Sequence, residues 1–349
     1  MDKPSISFTS IGGQAVIEGV MMRSPHFISV AVRQPNQRIV LQNKSYQGIG
    51  DRYPILKKPV LRGVIGLFES MVQGMGALSY SAQMAVQTET PTQPLSSWAI
   101  AGSMLLAFPI GIGLFVALPH LLTVLLTSVS FVHFTVESPW FHLIDGLIKI
   151  GILLAYVYLI ALMKDIHRVF QYHGAEHKSI YTFEAGEELT VENARKYTTL
   201  HPRCGTSFLL FLILISVAVF SIVFPLLKLT HLSSVPIVNH IAMIGLKMLL
   251  MFPVAGLSYE FIKACAFRMQ NPLFRMLVWP GMVLQKLTTR EPTDDQLEVA
   301  LASLKQVLRL EQDKRNSSSE SRKIQPELEI TRLSDLGRVQ IQVSEFPEI

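Results

Sequence analysis

The sequence predicts an all-α multi-pass membrane protein of about four transmembrane helices, with a small N-terminal β-hairpin element and a C-terminal cytoplasmic helix. Three observations carry that prediction. Charged residues make up 16% of the chain and hydrophobic residues 49%, whereas soluble domains carry about 25% charged residues. Four apolar runs each supply about 20 residues, enough to cross about 30 Å of hydrocarbon. Lys and Arg gather in some connecting segments and are missing from others, as in a chain sorted across a bilayer.

Residues 1–58 have their own character. Phe27–Arg33 and Arg38–Gln42 are rich in β-branched residues, are joined through Gln34-Pro35-Asn36-Gln37, and predict a hairpin. The stretch before them, Ile11 to Arg23, is apolar and punctuated by Gly12, Gly13 and Gly19. It holds a lone acid, Glu18, and a lone base, Arg23. An acid in so apolar a setting is costly unless paired, so the two are candidates for an ion pair or for a shared site. No early apolar run resembles a signal-peptide core. Residues 59–97 predict an amphipathic, Gly-rich helix, with Leu61, Val64, Ile65, Phe68, Met71, Val72 and Met75 on one side. Such a helix lies in a membrane interface or packs on the cytoplasmic ends of the spans.

The first two spans fall in 98–163, as Trp98–Leu126, interrupted by Pro109 and Pro119, and Leu143–Met163. The next two fall in 207–267, as Ser207–Leu227 and a fourth run within Ile237–Phe267. Two frames compete for the fourth. Ile237–Leu257 puts Lys247 near mid-bilayer. Met248–Phe267 lets Lys247 snorkel outward, brings Glu260 toward the cytoplasmic end, and is preferred. The loop 127–142 has no Lys or Arg, whereas 164–206 has Lys164, Arg168, Lys178, Arg195, Lys196 and Arg203. The positive-inside rule therefore places both termini and 164–206 in the cytoplasm. In 268–310, the short segment Leu273–Leu287 reads as interfacial or re-entrant. Thr293 and Gln296 have capping-box spacing ahead of Leu297, Ala300, Leu301, Leu304 and Leu308 at helical spacing. The polar remainder, 311–349, reads as a disordered tail.

The chemistry is concentrated in 164–206. His173 and His177, four residues apart, share a helix face, with Glu176 beside them. This is an H-x-x-E-H order, in which two imidazoles hold a metal and the Glu serves as general base toward water. His201 and Cys204 follow in a His-Pro-Arg-Cys turn. A third ligand from either one leaves an open, catalytic position, whereas both together close the site as a structural one. Imidazole with thiolate favours zinc among divalent metals. The competing reading has these His residues at headgroup level, bonded to backbone or lipid phosphate. Cys204 and Cys265 are the two cysteines and do not make a disulfide framework. Lys178 and Arg203 adjoin the proposed ligands and are candidates to hold a phosphate or carboxylate. Glu184, Glu187, Glu188 and Glu192 read mainly as a solvated face, and Thr190 as an N-cap.

At these residues the chain resembles a known family. Gly12–Arg23, Tyr172-His173-Gly174-Ala175-Glu176-His177-Lys178, Leu200–Ser207, Gly256-Leu257-Ser258-Tyr259-Glu260 and Thr288-Thr289-Arg290-Glu291-Pro292 are similar to the bacterial and plastid membrane proteins called domain of unknown function 1385, the YqhQ-like proteins. The resemblance covers roughly residues 11–308. It implies a multi-pass protein of the bacterial cytoplasmic membrane and a metal-dependent enzyme.

The functional expectation is a metal site at the cytoplasmic membrane face. Its expected work is metal-dependent hydrolysis of a lipid-linked or amphiphilic substrate, with Glu176 as general base, membrane lipid as partner and no nucleic acid. Two alternatives stand beside it: a non-enzymatic protein that binds or moves a lipid, quinone or ion, and an assembly factor whose cluster is a structural metal knot.

Overall fold

The N-terminal hairpin turns out to be the middle of a larger sheet. In a computed structural model, which describes residues 11–86, 97–129, 134–227, 234–266, 268–316 and 325–337, β3 (Phe27–Arg33) pairs with β4 (Ile39–Ser45), as the sequence predicts. The Gly-punctuated stretch before them forms a second hairpin, β1 (Gly12–Val16) with β2 (Gly19–Arg23). Its two-residue turn holds Glu18 at a positive φ of 51°, where Asn or Gly is the usual occupant. Gly19 is required for a different reason: a Cβ there would stand 2.1 Å from the Ala31 carbonyl oxygen.

The sheet runs β1-β2-β3-β4-β5, antiparallel throughout, and its last strand comes from the far end of the chain: β5 (Glu327–Ile330) pairs with β4. This corrects the disordered reading of 311–349 for the part described. Leu328 and Ile330 share a side of β5 and join the core, so the segment has apolar surface to bury.

Strand alternation places apolar residues on both faces. Val20, Met22, Ala31, Ile39 and Leu41 meet α6 (Lys164–Glu184) and α11 (Asp294–Asn316). Val16, Met21, Val30, Val32 and Val40 meet Ala77 and Tyr80 of α2 (Leu61–Val86). A short helix α1 (Ile49–Arg52) and a 3-10 turn precede α2. α2 is therefore packed at both ends. Its C-terminal half lies on the sheet. Its N-terminal part crosses α9 (Pro236–Ala266), where Gly63 lies against Tyr259 and Gly256 against Val60. Between these anchors Leu67, Phe68, Met71 and Val72 remain exposed, so the packed reading holds at the two ends of the helix.

Among the described residues, four helices are long and apolar enough to cross a membrane: Leu105–Ser128, Pro139–Ala161, Gly205–Leu227 and Ile237–Ala266. The first is built from α3 (Ser97–Ile112), a π-turn (Gly113–Ala117) and α4 (Leu118–Val129). The π-turn lies where Pro119 cannot donate to the preceding turn, a common cause of such bulges. The second is α5 (Pro139–Ala161), started by Ser138, whose hydroxyl accepts from Trp140 N–H, and by Pro139 in the first turn. The third is α8 (Gly205–Leu227) and the fourth α9.

α9 runs through both candidate frames. Lys247 does not snorkel outward: it is 1% exposed and its ammonium lies 3.0 Å from Asp145 of α5. Opposite charge in the bundle interior replaces the water that snorkelling would have reached. The 273–287 segment is α10 (Pro272–Thr288), capped by Asn271, with Gly281 against Ser207 and Phe211 of α8 and with Trp279 and Met276 exposed. α11 begins where the capping spacing predicts: Thr293 N–H donates to the Gln296 side chain, and Leu297, Ala300, Leu301, Leu304 and Leu308 are buried.

Candidate metal centre

α6 carries the first two donors. Its buried side holds Tyr172, Ala175, Ile180 and Phe183 in the sheet core, which fixes its rotation and turns His173 and His177 toward the start of α8. Their ring centroids lie 4.4 Å apart. Gly174, on the same helix, lets the 288–291 segment lie against α6: Arg290 N–H donates to the Phe170 carbonyl, and a Cβ on Gly174 would stand 2.1 Å from the Arg290 carbonyl oxygen. That approach delivers the Thr288 carbonyl, 2.8 Å from His173 Nδ1.

The two rings are oriented alike. His173 Nδ1 donates to Thr288 O and His177 Nδ1 to Thr199 O. Both proton-bearing nitrogens are thereby committed, which leaves each Nε2 with a lone pair turned toward Cys204, the tautomer found in metal-bound imidazoles. His173 Nε2 lies 3.1 Å from Cys204 Sγ. The sulfur, directly before α8, also meets the Thr206 hydroxyl at 3.1 Å and Thr206 N–H at 3.4 Å.

His173, His177 and Cys204 each bring a ligand atom to within 4.8 Å of the others. Tetrahedral zinc with bonds of about 2.0–2.3 Å places ligand atoms about 3.3–3.8 Å apart, so sub-ångström adjustments would seat one ion. Two imidazoles and a thiolate are a donor set suited to zinc.

His201 stands beside this trio and outside it. Its ring centroid is 5.6 Å from His177, and its Nε2 is 3.5 Å from Glu184, buried with no hydrogen-bond partner among the described residues. Burial pushes its pKa down to about 4, so the ring is neutral at ordinary pH. Gln285 of α10, wholly buried, fixes the turn: its side chain accepts from His201 N–H at 2.7 Å and donates to His201 O and Ser207 Oγ at 2.8 Å.

Glu176 is buried against β1. The Ala15 N–H meets its carboxylate, and a Cβ on Gly13 would stand 2.7 Å from its Cγ. Removal from water pushes the carboxyl above its ordinary range, opposed by the nearby His173 and His201. For His177 burial also dominates and lowers the imidazole, with Cys204 pulling the other way.

The remaining candidates are committed elsewhere. Glu18 pairs with Arg168, not with Arg23, and Tyr172 OH also reaches it at 3.4 Å. Arg23 donates to Gln73 and stacks over Tyr46. Lys178 is buried, with Glu291 and the Arg195 carbonyl as partners. Arg203 pairs with Glu184, which is turned inward and is no part of a solvated face. Glu260 takes a two-pronged bond from Arg62 and accepts Val60 N–H, anchoring the start of α2 to α9. Gln285 and Thr199 are not marked by the sequence, and Gly13 and Thr288 stand in the blocks that carry the resemblance without a role of their own. Their roles rest on backbone contacts between distant segments, which no local spacing reveals.

The model of a protein family of unknown function, DUF1385, matches residues 58–310 of the chain. The chain belongs to this family. The uncharacterized protein YqhQ of Bacillus subtilis (strain 168) is 33% identical over 312 residues, which cover 86% of this chain and 92% of YqhQ. No solved structure matches. The DUF1385 match takes in His173, Glu176, His177, His201, Cys204 and Gln285, whereas β1, which lies against Glu176, and β2 to β4 lie before it.

Proposed function

We propose that this chain is a metal-dependent enzyme of the bacterial cytoplasmic membrane. His173, His177 and Cys204 would hold a divalent cation, zinc by donor type, with a fourth position open to water or substrate. One observation carries the reading: two imidazoles with their Nδ1 atoms anchored on backbone carbonyls converge on one cysteine. A cation held there would supply Lewis-acid activation and acidify water. Glu176 is the proton carrier. Its buried carboxyl, which burial biases toward the protonated form, is suited to carry a proton. His201, neutral and adjacent, is suited to hold a polar substrate group.

Placement supports a substrate class. The donors join α6 to the start of α8, an apolar helix long enough to span a membrane. The neighbouring α2 and α10 carry exposed apolar faces that include Phe68, Met71, Met276 and Trp279. Hydrolysis of a lipid-linked or amphiphilic molecule fits such a site, with membrane lipid as the neighbour and no nucleic acid. The Lys and Arg of 164–206 favour a cytoplasmic site and cytoplasmic termini.

A second reading has its own observation. His201 Nε2 is buried and has no hydrogen-bond partner among the described residues, and a small shift toward His177 would make it a fourth ligand and the site structural. Metal analysis of detergent-purified wild type, Glu176→Gln and His201→Ala separates the two. The enzyme reading expects stoichiometric metal in all three. Loss of metal in His201→Ala supports the structural site, and metal-free wild type from metal-replete buffer rejects both.

A further inference from the structure

A second buried polar array lies inside the apolar helices, toward the end of the bundle away from the His/Cys cluster. Asp145 and Lys149 belong to the first half of α5, Lys247 and His240 to the first half of α9, and His120 to α4. Asp145 Oδ2 accepts from Lys149 at 2.8 Å and from Lys247 at 3.0 Å. Lys247 Nζ lies 3.2 Å from His120 Nδ1, and His120 Nε2 lies 3.1 Å from His240 Nδ1. The chain of contacts therefore starts at half-buried His240 and ends among side chains almost wholly removed from solvent.

The other groups facing the array are few. From α5, His142 is buried with neither ring nitrogen partnered among the described residues, and Asp145 Oδ1 also lacks a partner. Phe141 of α5 and Phe220 of α8 close it: the Lys247 ammonium lies 5.6 and 6.0 Å from their ring centroids, and the Lys149 ammonium 5.5 Å from Phe220. Buried polar atoms without partners in such a setting mark a place for water.

The charges do not cancel. One carboxylate faces two amines, so the array carries a net positive charge when both are ammoniums and is neutral when one amine gives up its proton. In a medium that penalises net charge, these two states differ by one mobile proton. We propose that the array is a proton-loading site within the membrane-spanning bundle, filled and emptied through His240. In the loaded state Lys247 donates to His120 Nδ1, and His120 Nε2–H donates to His240 Nδ1. On unloading, His240 releases its Nε2 proton, takes the proton of His120 Nε2 at Nδ1, and His120 takes one from Lys247 at Nδ1. Lys247 is left as a neutral amine, Asp145 and Lys149 remain a neutral pair, and one proton has left. The array ends against Phe220, so it stores a proton and does not conduct one freely.

The test is charge displacement. Purified protein in phosphatidylethanolamine/phosphatidylglycerol vesicles is adsorbed on a solid-supported membrane and given a pH step. Wild type should give a transient current above that of protein-free vesicles. Lys247→Met, which leaves the neutral Asp145–Lys149 pair, should lose it. His240→Phe should slow or abolish it. A wild-type current no larger than the protein-free one overturns the proposal, as does an unchanged current in Lys247→Met. Should Lys247→Met not elute as a folded monodisperse species, His240→Phe decides, because that position is half-buried and sits at the array's end.

Discussion

The two buried polar clusters in this chain are satisfied in different ways. In the array of α4, α5 and α9, side chains answer one another: two ammoniums share Asp145, and one of them reaches His120. In the cluster of α6 and the 199–206 turn, backbone carbonyls, Thr288 O and Thr199 O, anchor the Nδ1 atoms, and the remaining ring nitrogens gather with Cys204 Sγ around a common centre that holds no charged partner. In the first arrangement the charges have side-chain partners, while Asp145 Oδ1 and both ring nitrogens of His142 have none among the described residues. The second is organised around something else. Buried polar groups keep partners, and whether the partners are opposite charges or anchored metal-type donors distinguishes an internal network from a ligand site.

Breaking each cluster should therefore fail differently. The largest effect is expected at the donors. His177→Ala or Cys204→Ser should lower zinc affinity at least about 100-fold, the upper end of what supporting residues around a metal typically carry, while leaving a folded protein. Competition titration with a chromophoric chelator measures this, and wild-type affinity in both variants would remove the contrast. Asp145→Asn should do the reverse: metal content stays, but two amines lose their acid partner at a site 1% exposed. Loss of one partner of a buried pair costs about 3–5 kcal/mol, readable as a drop in the thermal midpoint in detergent.

Smaller effects sharpen the comparison. Gly174→Ala should cost about 1–3 kcal/mol, the usual range for overpacking, by pushing the Arg290 carbonyl off α6 and taking Thr288 O from His173. Paired unfolding and metal titrations should show both quantities falling together. The pH dependence of His201 is smaller again. Its pKa is depressed from 6.5 to about 4, so its neutral burial contributes stability that is present above 6.5 and lost as pH falls toward 4. Acid unfolding of metal-free protein should lose part of its slope in that window in His201→Gln. An unaltered acid limb would mean that the ring is not buried as described.

Much of this was legible in the sequence, and what was missed shares a cause. The spans, the 27–42 hairpin, the start of α11 and the His173–His177 face are local patterns, set by periods of 2 or 3.6 and by caps. The β1–β2 hairpin escaped because its turn is Ile17-Glu18, without the Asn-Gly or Asp-Gly signal. β5 escaped because its partner strand, β4, lies at the other end of the chain and its own flanks are polar. The sequence points Lys247 outward because its partner, Asp145, sits on another span, 102 residues away. Glu260 and Glu18 were drawn toward the site because an unpaired acid invites a role, and each has an arginine, Arg62 and Arg168, that spacing does not reveal. Of the four ligands suggested by the sequence, the three that converge are those whose rings or sulfur face the junction of α6 and α8, whereas His201 is held back by Gln285.

The central claim is that two imidazoles and one thiolate hold a metal at that junction. X-ray absorption spectroscopy of the zinc-loaded, detergent-purified protein tests it most directly. The account predicts a shell with one sulfur at about 2.3 Å and imidazole nitrogens at about 2.0–2.1 Å, with the sulfur component absent in Cys204→Ser. A shell of nitrogen and oxygen alone in the wild type would contradict it.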